Sequence, residues 1–137
     1  MSRARARPAG TLVLDCEGLS KAVSRTREIT EWLALARADD LRVVTSAAIV
    51  VEVTHPKINR PALEWTLSRI VVEPVTELIA RSAAAILADA NLHGQSHAID
   101  AMLSATALAA SAPVTVLTSD PEDISALCGT GITVIKI

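Results

Sequence analysis

The sequence Thr11-Leu12-Val13-Leu14-Asp15 gives the first indication of the fold, because a run of apolar and β-branched residues ends there directly at a carboxylate. A continuous apolar run of this length is typical of a strand that is covered on both faces, as in a parallel sheet between helices. Runs of similar character follow later in the chain, and we predict strands at residues 42–45, 70–73, 114–117 and 132–137.

The segments between these runs have helical periodicity. In residues 28–38 the apolar side chains Ile29, Trp32, Leu33 and Ala36 repeat with the spacing of one helix face, and residues 76–92 show a similar stripe. Residues 98–110 are apolar almost all round, which predicts a helix deep in the domain. The carboxylate of Asp100 is therefore conspicuous.

Strands that alternate with helices predict an α/β fold, a three-layer α/β/α sandwich with a mainly parallel central sheet. The 137 residues, half of them apolar, are enough for one core without disulfides or a structural metal. We predict a basic N-terminal arm at residues 1–10, with Arg3, Arg5 and Arg7, and a single domain at residues 11–137.

Composition excludes several classes of protein. A net charge of −2 is unlike a sequence-independent nucleic-acid binder, and the aromatic residues, only Trp32 and Trp65, are too few for a base-stacking sheet. Two cysteines make no disulfide framework. The sequence has no membrane-length apolar run and no secretory h-region after its N-terminal arginines, so we expect a cytoplasmic protein.

Four carboxylates occupy unusual positions. Asp15 directly follows the first strand, and Asp120 lies three residues after the strand that ends at Leu117, so both should reach the carboxyl edge of the sheet. Glu52 and Asp100 lie in apolar helical segments, where an unpaired charge is costly. No Lys or Arg lies within a helical turn of Asp100 or on the segment that carries Glu52. A shared Mg²⁺ or Mn²⁺ would compensate all four acids, because these ions prefer oxygen ligands.

Each acid also has a purely structural interpretation. Asp15 would cap the following helix near Gly18, Asp120 would cap a helix that starts at Pro121, and Asp100 would cap its own helix. Glu52 would pair with Lys57 or Arg60. Purely structural roles for all four acids together are less expected than such a role for any one of them.

The order of these motifs resembles that of PIN-domain proteins, especially bacterial VapC-like toxins. The likeness runs from Thr11 to Ile137 and rests on motifs at residues 12–15, 51–53, 98–101 and 117–124. The resemblance implies that Asp15, Glu52, Asp100 and Asp120 are catalytic metal ligands, with Thr118 and Asp123 beside them. Cys16 and Glu17 depart from the family, which more often has a small residue or a hydroxyl after the first acid.

The resemblance further implies a metal-dependent endoribonuclease with Mg²⁺ or Mn²⁺ as cofactor and RNA as substrate. It also implies a homodimer and a cognate antitoxin protein. From the high mean hydropathy we expect apolar surface for such a dimer, and residues 61–68, with Leu63 and Trp65, are the predicted contact. Expected RNA contacts are basic residues that flank the acids in sequence: Lys21, Arg25, Lys57 and Arg60.

Two other functions compete with the nuclease. The first is a PIN-like RNA-binding or protein-binding regulatory module with little turnover. The second is an aspartyl-phosphate phosphatase, which the sequence disfavours because no Lys lies between Lys57 and Asp120. His93 and His97 are four apart, but Gly94 and the lack of an intervening Glu argue against a zincin motif, and a loop is expected there. Cys16 and Cys128 are interpreted as core residues rather than nucleophiles.

Overall fold

The structure is a computed structural model that describes residues 8–137. Its strands are β1 (Thr11–Leu14), β2 (Arg42–Ser46), β3 (Val71–Glu73), β4 (Val114–Thr118) and β5 (Thr133–Lys136). Its helices are α1 (Cys16–Ser24), α2 (Arg27–Ala38), α3 (Ala47–Val53), α4 (Arg60–Ser68), α5 (Glu77–Ala90), α6 (Gly94–Ala109) and α7 (Pro121–Cys128), followed by a 3₁₀ turn at Gly129–Gly131.

The five strands form one parallel sheet in the order β3-β2-β1-β4-β5. β1 is the central strand, and Thr11 pairs with Arg42 on one side and with Val114 on the other. The strand order reverses direction at β1, because β2 and β3 extend the sheet to one side and β4 and β5 to the other. This switch point, at the carboxyl ends of β1 and β4, is where ligands bind in open α/β sheets.

Alternate residues of β1 pack into different layers. Val13 belongs to a core cluster with residues of α3, α4, α6 and α7, whereas Leu12 and Leu14 pack with residues of α2. All three side chains are fully buried. The predicted α/β/α sandwich with a parallel sheet is thereby confirmed.

Helix α6 is buried in its central part, between Ala101 and Ala107, as predicted, and Ala101 and Ala105 pack against α5. Its start was predicted wrongly, however, because α6 begins at Gly94 and not near Ala98. The first turn is mostly exposed and contains Gly, Gln, Ser and His, so it carries no apolar stripe that would reveal a helix. The loop expected between His93 and His97 is therefore helical after its first residue.

The strand ends are fixed by side-chain hydrogen bonds as well as by the ladder. The buried hydroxyl of Thr45 donates to the carbonyl oxygen of Leu14 at 2.7 Å, and the hydroxyl of Thr11 donates to the carbonyl of Ser111 at 2.8 Å. The first of these bonds holds the last residue of β1, immediately before Asp15.

The predicted N-terminal arm lies mostly outside the described residues, which begin at Pro8. Ala9 donates its N–H to the carbonyl of Asp40 at 3.1 Å, and the carbonyl of Gly10 accepts from Arg42 at 3.0 Å. Within residues 8–137, no helix has both the length and the apolar character required to cross a membrane.

Candidate metal centre

Asp15 is positioned by the join between β1 and α1. It is the N-cap of α1, and its carboxylate accepts a 2.9 Å hydrogen bond from the N–H of Gly18. Its own N–H donates to the carbonyl of Leu117 on β4. The capping interpretation of Asp15 is thus confirmed, and it leaves the second carboxylate oxygen for another ligand.

Asp120 follows β4 and occupies the N-cap position of α7, but its side chain makes no capping hydrogen bond. Its position depends instead on Thr118, whose fully buried hydroxyl oxygen accepts from the N–H of Asp120 at 2.9 Å. Thr118 thus fixes the backbone that carries the acid. The exposed carboxylate of Asp120 is not used as a cap and is available for a ligand or for Asp123.

Asp100 lies in the second turn of α6 and is half-buried, so it cannot cap that helix. Burial raises the pKa of Asp100 to about 6, with further upward contributions from Glu52, Asp120, Asp123 and Asp15. The charges of the other three predicted ligands therefore act on Asp100. The structure brings the carboxylates from four separate elements to one side of the sheet.

Glu52 differs from its expected setting. It is exposed on the last turn of α3, although its sequence neighbours are apolar, because the helix is amphipathic with Ile49 and Val53 on its buried face. The argument from the cost of a buried charge therefore does not apply to Glu52. Its predicted ion pair with Lys57 or Arg60 is also not found in the described part of the chain.

Cys16 is the neighbour of Glu52 that the sequence did not reveal. Burial raises the pKa of the Cys16 thiol to about 12, and Glu52 adds to the effect through its charge and a hydrogen bond from the thiol. The thiol is therefore protonated near neutral pH, which agrees with its interpretation as a non-nucleophilic residue. The contact joins the start of α1 to the end of α3, two helices that pack together.

Asp123 lies in the first turn of α7. A hydrogen bond with Asp120 and the charge of that neighbour raise the pKa of Asp123, whereas His97 lowers it. Asp123 therefore interacts with Asp120, a predicted ligand, and its supporting role stays a prediction.

The donor chemistry fits Mg²⁺ or Mn²⁺, because carboxylate oxygens are the ligands that these ions prefer. Within residues 8–137, however, no three Asp, Glu, His or Cys side chains lie close enough together to enclose an ion. The arrangement is therefore an open site. Such a site suits Mg²⁺, which keeps several waters and is usually held by only one or two carboxylates together with substrate phosphate.

The predicted RNA contacts are dispersed. Lys21 is half-buried and pairs with Glu28 at 3.3 Å, whereas Lys57 and Arg60 are exposed. Arg25 is the C-cap of α1, ten residues after Asp15, which places it about 15 Å along the helix axis from Asp15. Its guanidinium lies 4.8 Å from the ring centre of Trp65, which Arg69 also approaches at 5.1 Å.

The predicted dimer contact is partly wrong. Leu63 belongs to the main core cluster and is only 6% exposed, so it cannot contact a partner. Trp65 is 48% exposed, but Arg25 and Arg69 lie against its ring. Two apolar side chains outside this segment are more exposed than Trp65, namely Val51 (76%) and Leu78 (73%).

Comparison with known proteins gives structural matches only. No protein-family model matches the chain, and no curated protein matches its sequence. Solved structures do match along nearly the whole chain. VapBC2 from Rickettsia felis bound to a promoter DNA fragment matches with a TM-score of 0.69 at 15% identity, covering 93% of this chain and 98% of that chain.

The chain has the VapC-like PIN-domain fold. DNA-bound VapBC from Salmonella typhimurium matches with a TM-score of 0.68 at 17% identity, with 93% of this chain and 98% of that chain covered. FitAcB from Neisseria gonorrhoeae matches with a TM-score of 0.57 at 20% identity, covering 91% and 96%. The predicted PIN fold is confirmed, and Asp15 and Asp120 follow the strands β1 and β4 at the carboxyl edge of the sheet.

The raised pKa of Asp100 makes the stability of the metal-free protein depend on pH. Because the pKa rises from 3.8 to about 6 on folding, the stabilisation from this group is complete below about pH 4 and is lost as the pH rises through 6. The full shift corresponds to about 3 kcal/mol, and screening at a half-buried carboxyl reduces this to roughly 1–2 kcal/mol.

We therefore predict that Asp100→Asn raises the free energy of unfolding at pH 7 in EDTA by roughly 1–2 kcal/mol. It should also flatten the decrease in stability between pH 4 and pH 7. Urea unfolding across this range measures both effects, with Asp89→Asn on the exposed face of α5 as a matched control. A variant less stable than the wild type at pH 7 would show that Asp100 has a favourable partner instead.

Proposed function

We propose that this protein is a metal-dependent endoribonuclease that cleaves RNA phosphodiesters and acts as the toxin of a toxin-antitoxin pair. The observation that carries the proposal is the convergence of Glu52, Asp120, Asp123 and Asp15 on Asp100, in a chain with the VapC-like PIN fold. We further propose that the protein acts in the cytoplasm.

The acids have separable roles in this proposal. Asp15, Glu52, Asp100 and Asp120 would hold Mg²⁺ or Mn²⁺, which when bound would stabilise charge on the scissile phosphate and lower the pKa of a water. Asp15 is oriented by the N–H of Gly18, and Asp120 by the backbone bond to Thr118. Asp123 supports Asp120 through their shared hydrogen bond.

Without a cation, the carboxylates of the site repel RNA phosphates as well as one another. Five carboxylates at one edge repel phosphate, so the protein should bind RNA weakly until a cation neutralises part of that charge. This would make the metal necessary for substrate binding as well as for chemistry. It also explains how a chain with a net charge of −2 can act on a polyanion.

We predict that the purified protein cleaves single-stranded RNA with added Mg²⁺ or Mn²⁺ and stops when EDTA is added. Asp15→Asn and Asp120→Asn should each slow cleavage by at least about 100-fold, since even the partners of metal ligands contribute about 10- to 100-fold. The double variant should add little to either single loss, because ligands of one site act as a unit. Cleavage of a quenched fluorescent RNA measures all of these rates.

Asparagine is chosen because its amide oxygen can still accept from Gly18, so the cap of α1 is kept in Asp15→Asn. Asp89→Asn controls for a lost surface charge and should cleave at the wild-type rate. Cleavage that persists in EDTA would contradict the metal mechanism. Independent, multiplicative losses in the double variant would contradict a shared site.

The partners of this protein are also proposals. The matching VapBC and FitAcB structures support an antitoxin partner, and the exposed Val51 and Leu78 support a homodimer. We predict a dimer in sedimentation experiments at micromolar concentration, weakened by Leu78→Glu but not by Ala84→Glu on the same helix. A wild-type monomer at this concentration would contradict the dimer, and equal effects of both variants would place the contact elsewhere.

A regulatory binding module is the second candidate function. The observation that favours it is the open geometry, in which no three of the described metal-ligating side chains enclose an ion. Such a module would bind RNA through its basic residues and give no metal-dependent product. The cleavage assay separates it from the nuclease.

A further inference from the structure

The imidazole of His97 is a polar group that the proposed metal site does not use. His97 lies in the first turn of α6, three residues before Asp100, so the two side chains share one face of the helix. Its Nδ1 atom is buried and has no hydrogen-bond partner among the described residues. Buried polar atoms are nearly always paired, and an exception calls for an explanation.

His97 lies beside the acids of α7. Its charge lowers the pKa of Asp123, whereas Asp120 and Glu122 raise it. Helices α6 and α7 pack together, which places the imidazole at the rim formed by Asp100 and these α7 acids. The ion pairs of the described chain use Lys21, Arg27, Arg42 and Arg81, and none of them reaches this rim. His97 is thus a basic side chain that the structure places near these acids and that none of these ion pairs uses.

The enclosed Nδ1 determines what the ring can offer. Because Nδ1 is enclosed, Nε2 is the ring nitrogen that remains for a ligand. Nε2 carries a proton both in the imidazolium ion and in the tautomer that leaves the enclosed Nδ1 bare. In both forms Nε2–H is a hydrogen-bond donor. The surrounding carboxylates are acceptors, as are phosphate oxygens, but a phosphate that enters the site needs a donor to offset the repulsion of the acids.

We propose that His97 is an RNA-contacting residue, whose Nε2–H donates a hydrogen bond to a phosphate oxygen of the strand held at the acidic rim. This inference rests on the proposed ribonuclease function and adds a substrate contact that neither the acids nor the dispersed Lys and Arg residues provide. His97 binds and orients the strand, and it takes no part in holding the metal.

Isosteric substitutions test which ring nitrogen matters. The amide nitrogen of glutamine can reach the place of Nε2, whereas that of asparagine reaches only the place of Nδ1. We expect His97→Ala and His97→Asn to weaken RNA binding about fivefold to tenfold, the effect of one hydrogen bond, and His97→Gln to retain part of the affinity. Binding is measured by fluorescence anisotropy of a labelled, non-cleavable single-stranded RNA analogue with Mn²⁺, in variants that keep the native Asp100.

Steady-state cleavage of ordinary RNA by the same variants gives a second measurement. A strand-binding role predicts that KM rises by a similar factor while kcat changes less. His93 is the matched control, since it is exposed, precedes α6 and makes no side-chain capping bond. His93→Ala and His93→Gln should bind and cleave RNA as the wild type does.

The outcomes separate this inference from the function on which it rests. If the wild type cleaves RNA and the His97 variants bind RNA normally, with or without a fall in melting temperature, His97 is structural and the inference is wrong. If His97→Asn retains RNA affinity and His97→Gln does not, the inference is also wrong, because Nδ1 would then be the contact. A wild type that neither binds nor cleaves RNA would overturn the proposed function and this contact together.

Discussion

Electrostatic repulsion around Asp100 is the constraint on which the rest of the site depends. The parallel sheet directs the ends of β1 and β4 to one edge, and α3 and α6 bring Glu52 and Asp100 to the same side. No Lys or Arg of the described chain forms an ion pair with any of these acids. The chain therefore keeps charges together at a cost to its own stability, which is common at functional sites.

Neutral hydrogen bonds, rather than ion pairs, keep the repelling groups in place. Gly18 donates to Asp15, Thr118 accepts from the backbone of Asp120, and Thr45 fixes the end of β1. None of these contacts neutralises a carboxylate, so each acid stays available for a cation. The backbone thus fixes the positions of the acids, and their negative charge remains available to bind a cation.

The sequence predicted the sheet well because its strands are buried runs whose composition alone distinguishes them. It predicted the positions of Asp15 and Asp120 at the sheet edge, because the carboxyl end of a parallel strand has a fixed place in the fold. It failed where exposure depends on tertiary packing: Glu52 is exposed, Leu63 is buried, and α6 starts one turn early. The contact of Cys16 with Glu52 joins distant segments and left no local signal, whereas the spacing of His97 and Asp100 was a signal that went unused.

The central claim is that one cation relieves the repulsion among these acids. The most direct measurement is the shift in melting temperature on adding MnCl₂ at pH 7 to the wild type and to Asp100→Asn. Because a ligand that binds only the folded state stabilises it, we predict a clear rise in melting temperature for the wild type and little or none for Asp100→Asn. No rise for the wild type, or an equal rise for both proteins, would contradict it.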